Sequence, residues 1–325
     1  MPAPSTALST LRPDLAGSFM EFGLEMDRQG FIGHRVLPVI DVMKQSGSFG
    51  KIPIEQLLQN RDTARAPGSG YSRGNFTFAK VAFATEEHGA EEPIDDRESE
   101  MYAEYFDAEQ ISAQRAFDAV LRNAEKRSAA AVFNTTTWTG SGLTTGITNE
   151  WDDAANAVPI TDVEAAVKKV YDGSGLWPNA LIINRKVFRN LRNVASIIDR
   201  IKYAGFTDPR AGAINEAALA QVFDLDFIIV AGSSKNTAVE GQAASLAPVW
   251  SDEYAMVAKI ATTNDIKEPC VGRILHWPGD GSDVDGRVET YREENKRSDI
   301  VRVRHDVDEL ILYPEAGHLL SNITT

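Results

Sequence analysis

Histidine is the side chain most able to move protons or hold metals near neutral pH. The chain has five, His34, His88, His276, His305 and His318, each in a different segment. Metal sites draw on ligands at short, regular spacings, and none occurs here, so neither a metal centre nor a catalytic histidine is expected. Every G-x-G fails the dinucleotide-binding pattern, because the place of the third glycine holds Arg73, Thr145, Pro178 or Val284 after Gly68, Gly140, Gly173 and Gly279 respectively. No G-x-S-x-G turn, Walker A loop or H-E-x-x-H helix is present. The stretch "DGSDVDG", with Asp280, Asp283, Asp285 and Gly286, faintly resembles a calcium loop but lacks the closing bidentate glutamate, and reads as a plain turn. Cys270, the single cysteine, excludes an intramolecular disulfide and reads as a small buried apolar residue. The sequence thus predicts no catalytic residue, no cofactor and no metal.

Charge says more. Lys and Arg number 33 against 47 Asp and Glu, a formal net charge of −14, which is opposite to the basic footprint of a nucleic-acid binder. Tight, direct DNA binding is therefore not expected. Most of the excess is local: between Glu86 and Glu109 lie eleven acids (Glu86, Glu87, Glu91, Glu92, Asp95, Asp96, Glu98, Glu100, Glu104, Asp107, Glu109) and Arg97 alone. Such a run reads as a solvated or interfacial face rather than as catalytic carboxylate pairs. A smaller concentration of the other sign occupies "RDTARAPGSGYSRG", residues 61–74, where Arg61, Arg65 and Arg73 meet one acid, Asp62.

These charges need elements to position them. The 325 residues, 43% hydrophobic and 25% charged, suffice for one large or two medium cores. No apolar run approaches the ~20 residues of a membrane helix, and the start lacks a basic region with a long apolar core; a soluble, non-secreted chain is expected. Residues 1–44 read as an arm without a core of its own. In residues 45–89, "SGSFGKIPIEQLLQ" and "YSRGNFTFAKVAFAT" flank the Arg-, Gly- and Pro-bearing tip as a two-stranded ribbon, in which Phe76, Phe78 and Phe83 offer apolar surface. A ribbon of that size is marginal alone. One long helix is predicted from Asp96 to Ala130, acidic in its first half and basic in its second, as its dipole favours.

An α/β pattern follows. Thr161 and Glu164 suggest a capping box before "DVEAAVKKVYD", Gly173 and Gly175 should end that helix, "ALIIN" reads as a strand, and Asn184 should cap "RKVFRNLRN". The glycines come after a helix and before a strand, the reverse of a phosphate-binding loop. A helix near Ala213–Phe223, the strand "DFIIV", a loop over 231–247 and the strand-like "APVWSDEYAMVAKI" complete the unit. From Val271 onward β signals dominate, with "RVETYREENKRSDIVRVR" alternating as an extended hairpin would.

This order of segments resembles the major capsid proteins of tailed double-stranded DNA bacteriophages, which share the Hong Kong 97-type shell fold. The stretches "FIGHRVLPVIDVMKQSGSFGKIP" and "WDDAANAVPITDVEAAVKKVYDGSGLWPNALIINRKVFRNLRN" carry it most specifically, and it covers almost the whole chain. The resemblance implies an α+β fold with an N-terminal arm (1–44), an extended loop (45–89), a peripheral domain with its spine helix (90–154), an α/β axial domain (155–260) and a β-rich return to the peripheral domain (261–325). It implies a structural, non-enzymatic subunit that assembles with itself as pentamers and hexamers. The shell would be icosahedral and enclose double-stranded DNA without sequence-specific binding, with scaffold, portal and decoration proteins as partners and no membrane. Assembly in the host cytoplasm and residence in the virion follow. Arg61, Arg65, Arg73, Phe76, Phe78, Phe83, Glu86, Glu87, Glu98, Glu100 and Glu104 are the expected subunit-interface residues. An encapsulin-type nanocompartment shell, a tail-tube or decoration protein, and an α/β enzyme using the acidic stretch are the other readings.

Overall fold

The computed structural model describes residues 10–11, 30–51, 53, 56, 59–74, 77–102, 107–203, 214–239 and 241–325. Strand β1 (Thr10–Leu11), a single helical turn α1 (Gly33–Val36) and strand β2 (Val39–Asp41) come first. Strands β3 (Ser46–Lys51) and β4 (Ala79–Ala84) then pair antiparallel as a separate ribbon, Ser46 opposite Ala84 and Lys51 opposite Ala79. The boundary expected at residue 89 falls inside the next strand, β5 (Glu86–Asp95), which leaves the ribbon and lies antiparallel along Ser298–Val307.

The single helix predicted for Asp96–Ala130 is instead two. Helix α2 (Asp96–Tyr102) is short, and α3 (Ala108–Val132) starts anew behind Asp107, whose backbone is extended (φ −79°, ψ 106°) and whose carboxylate accepts from the amides of Glu109 and Gln110. An N-cap aspartate satisfies amides that a continuing helix would have bonded itself, so the same residue that starts α3 breaks the longer helix. Glu98 and Glu100 of the expected acidic half thereby lie on α2, while Glu109 opens α3 ahead of Arg115, Arg122, Lys126 and Arg127. On α3, Ala113, Ala116, Phe117 and Val120 recur at three- and four-residue spacing and pack on Ile94, Val288, Val301 and Val303.

The second unit begins with β6 (Thr144–Gly146) and helix α4 (Pro159–Ser174). The Thr161–Glu164 capping box is absent. Pro159 opens the helix after Val158, which makes no side-chain cap, so Thr161 already lies within the first turn; proline's fixed φ suits that first position. Gly175 closes it in the left-handed region (φ 69°). Then follow β7 (Ala180–Asn184), α5 (Arg185–Leu191) with Asn184 as its cap, α6 (Ala195–Tyr203), α7 (Glu216–Phe223) and β8 (Phe227–Ala231). The stretch read as a loop over 231–247 holds a small hairpin, β9 (Ser234–Asn236) with β10 (Leu246–Pro248), before β11 (Tyr254–Ala258).

Strands β12 (Gly272–His276), β13 (Arg287–Glu293) and the fourteen-residue β14 (Ser298–Ile311) return to the first sheet, ordered β1-β13-β14-β12-β2 with β5 also on β14. The β-rich return is not confined there. Strand β15 (Gly317–Ser321) enters the second sheet, ordered β6-β15-β11-β7-β8. The reason lies in its side chains: Leu320 packs among Leu181, Ile183 and Val257 on the helical face, while Leu319 packs among Ile182, Met256 and Trp138 on the other. A strand apolar on both faces belongs inside a sheet covered on both sides.

Candidate subunit-interface surfaces

The ribbon is tied down at its root. Phe49 and Val81 pack against Cys270 and Leu312, Lys51 Nζ donates to the Leu312 carbonyl (2.7 Å) and lies 4.0 Å from the Tyr313 ring centre, and the amide of Ala84 donates to Asp308 Oδ2 (3.2 Å). Phe83 is half-buried beside Phe49, ring centres 6.0 Å apart. Phe78, farther out, is 66% exposed. At the tip every residue from 62 to 74 is exposed. Its turns are closed locally: Asp62 Oδ1 accepts from the Ala64 amide, Arg65 Nε donates to the Ser69 carbonyl, and Gly68 takes φ +86°. Arg65 lies over the Tyr71 ring at 4.8 Å. Phe76 falls outside the described residues.

The acidic run is divided. On β5, Glu87 pairs with Arg304 (3.3 Å), Glu91 with Arg302 (3.8 Å) and Glu92 with Arg115 (3.6 Å), and Asp96 at the start of α2 meets Arg292. Register explains the first two, since β14 places Arg302 and Arg304 directly beside β5. Glu86, on the same strand, is exposed, and so are Glu98 and Glu100 on α2. Glu104 lies outside the described residues. The structure therefore puts Glu86 and Glu87 next to the ribbon root and Glu98 and Glu100 beyond the other end of β5.

Beneath these surfaces are buried polar ties that the sequence reading did not find. Glu125 accepts from the amides of Ile32 and Gly33 (2.8 Å each) and from Trp250 Nε1 (2.6 Å), joining α3 to α1 and to the second unit. Gly33 lets the carboxylate come this close, because a Cβ would stand 2.7 Å from Glu125 Oε2 and push it aside. The available signal was a carboxylate four residues after Leu121, on the packed side of an otherwise apolar pattern. Buried Glu289 accepts from Arg302 and Arg304, and although burial opposes its ionisation, these arginines hold its pKa below the usual carboxylate range. Burial pushes His305 down to about 4; its Nδ1 faces the Val284 carbonyl (2.9 Å) and its Nε2 faces Arg127 (3.2 Å), which also grips Glu309. Glu268 is drawn down to about 2: its partial burial works against ionisation, but hydrogen bonds from the amides and hydroxyls of Thr262 and Thr263 outweigh it.

Among the described residues no group of three or more His, Cys, Asp or Glu side chains is placed to hold a metal ion. Asp280, in the loop with a faint likeness to a calcium site, is engaged by Arg304 and Ser282. Cys270 is buried, and burial pushes its thiol up, away from a reactive thiolate. No helix among the described residues is long and apolar enough to cross a membrane.

Two sheets, a long helix laid on the first of them, and a ribbon projecting from its edge make up the Hong Kong 97-type fold of phage capsid shells. The chain is 27% identical over 301 residues to the major capsid protein of Burkholderia phage BcepMu, covering 90% of this chain and 91% of that one. The crystal structure of a phage-related protein from Bordetella bronchiseptica RB50 superimposes with a TM-score of 0.70 at 20% identity, covering 97% and 98% of the two chains. The capsid of cyanophage P-SCSP1u does so with a TM-score of 0.57 at 12% identity, covering 88% and 86%. No family model matches the sequence.

Proposed function

We propose that this chain is the major capsid subunit of a tailed phage, a structural protein that assembles with itself, as pentamers and hexamers, into an icosahedral shell around double-stranded DNA. The observation that carries this reading is the similarity to a phage major capsid protein along nine tenths of both chains. The exposed tip and the apolar Phe78 support it, since they lack a covering surface within one subunit that a neighbour would supply. In this reading residues 45–89 are the extended loop, α3 is the spine helix of a peripheral domain built on the first sheet, and the second sheet with α4–α7 is the axial domain. Residues 1–44 are the arm. Arg61, Arg65, Arg73, Phe76, Phe78, Phe83, Glu86, Glu87, Glu98, Glu100 and Glu104 contribute to subunit contacts. Scaffold and portal proteins are the expected assembly partners, assembly occurs in the host cytoplasm, and the subunit ends in the virion.

Electron microscopy of the purified recombinant protein tests this directly. Closed shells with five- and six-fold clusters are the expected outcome; a dimer or tetramer that grows no further at high concentration would remove the reading. Particles isolated from their natural source should contain DNA. An enzyme cargo in its place would make the protein a nanocompartment shell.

A further inference from the structure

Between Gly173 and Ile198 the chain carries four cations, Arg185, Lys186, Arg189 and Arg192, and no acidic residue, in a protein of net charge −14. The fold concentrates them. Val187 and Leu191 are buried against the second sheet, which fixes how α5 is rotated. Arg185 and Arg189, four residues apart, consequently share its exposed side. With Lys186, Asn190 and Asn193 they line a cavity of about 320 Å³. Lys186 is held by Asp252 at 2.8 Å, and that bond raises its pKa. Arg185 and Arg189 have no carboxylate partner among the described residues. Asn190 adds a buried amide nitrogen with no hydrogen-bond partner among the described residues.

We infer that this notch binds the phosphodiester backbone of nucleic acid, Arg185 and Arg189 gripping phosphate oxygens and Asn190 turning its amide to a third. Forked guanidinium donors fit the planar or tetrahedral oxygens of carboxylate and phosphate alike. Phosphate is favoured because Glu87, Glu91, Glu92 and Asp96, four carboxylates of the acidic run, already have arginine partners of their own, which thins what a second copy would offer to exposed side chains such as Glu86, Glu98 and Glu100. The inference rests on the capsid reading, which brings concentrated DNA to the subunit. Two unpaired cations on an acidic protein make a weak contact that reads no sequence: a tether that holds packaged DNA near the wall without immobilising it.

Fluorescence anisotropy with a labelled DNA duplex and unassembled subunit tests it, at salt from about 25 to about 150 mM. The wild type should bind weakly, with log affinity falling against log salt at a slope of about −2, one unit for each phosphate engaged. Arg185→Gln with Arg189→Gln should lose at least tenfold in affinity at about 25 mM salt and flatten the slope. Arg185→Lys with Arg189→Lys, which keeps the charge and removes the forks, should fall between, and an unchanged urea midpoint in either variant certifies folding. Equal binding by wild type and the Gln variant overturns the inference, as does absence of wild-type binding at low salt. Full displacement of the duplex by inorganic phosphate at constant ionic strength overturns it in favour of a free-phosphate site. A peptide of residues 86–109 that binds these arginines when DNA does not overturns it in favour of a contact between copies. Microscopy keeps the two readings separate: a wild type that forms shells but does not bind duplex removes the notch alone, and one that binds duplex but forms no shells removes the capsid.

Discussion

In the second sheet, both faces of β7, β11 and β15 are covered by the same chain, Leu181, Val257 and Leu320 on one side and Ile182, Met256 and Leu319 on the other. The β3–β4 ribbon is covered only at its root, and beyond it residues 62–74 stand exposed. Strand length does not separate the two, since β7, β11 and β15 have five residues each and β3 and β4 six. What separates them is where the complementary surface comes from. A sheet covered on both faces is stable within one molecule, and a ribbon with one anchored end leaves its outer surface uncovered by its own chain.

The sharpest way to break that contrast is to remove the uncovered tip. Replacing residues 62–73 by a short Gly-Ser turn should leave a soluble subunit with an unchanged urea midpoint that closes no shells, read by sedimentation and microscopy. Normal particles would show that the tip has another task, and an unfolded subunit would show that it was never independent of the body.

Next in size is the tie that makes the body one piece. Glu125→Ala strands the amides of Ile32 and Gly33 and the indole nitrogen of Trp250, and should cost roughly 3 kcal/mol or more in urea unfolding. Glu125→Gln should recover part of that. Wild-type stability in Glu125→Ala would mean that the two sheets hold together without it.

A smaller, pH-dependent effect follows from His305, whose pKa of about 4 lies below the ~6.5 of an unfolded histidine. The unfolded chain takes up this proton as pH falls below ~6.5 and the folded one only near 4, so the contribution is complete above ~6.5 and is lost on acidification through that window. The slope is at most ~1.4 kcal/mol per pH unit. Burial raises the carboxyls of Asp308 and Glu309, which act in the opposite direction at the acid end. Urea midpoints at neutral and mildly acidic pH should therefore converge in His305→Asn; an equally steep loss would assign the acid sensitivity elsewhere.

The least effect is expected from charge reversal at Glu98, Glu100 and Glu104. Assembly should weaken more at low than at high salt, because exposed charges are screened over ~8–10 Å at physiological ionic strength. Yields that do not vary with salt would mean these carboxylates merely face solvent.

Local signals in the sequence survived where the structure that uses them is local. Gly175 and Asn184 do at their helix ends what their types foretell, and "ALIIN" is a strand because a five-residue apolar run between turn residues has little else to become. Asp107 was an equally local signal, obscured by the apolar spacing that runs on either side of it. The destination of β15 was not legible, since alternation tells which residues are buried but not which of two sheets buries them. Nor were the partners of Glu91 and Glu92, because Arg302 approaches from the far end of the chain and Arg115 from the next long helix. The interface residues were nominated by charge and apolarity alone, which is why the acidic run looked uniform from Glu86 to Glu109 while the fold pairs some of its members internally.

The position of β15 also sets a clock. It fills the gap between β6 and β11, yet it is synthesised about sixty residues after β11. At ribosomal speeds of ~5–20 residues per second, roughly 3–12 s pass in which β11 has its pairing with β7 but an open edge toward β6. For most of that interval β3 and β4 have each other, but the ribbon still lacks its anchors at Asp308 and Leu312 and the second sheet lacks a strand. The second sheet is therefore closed only after Ser321 has been made, since β15 is the last of its five strands to appear.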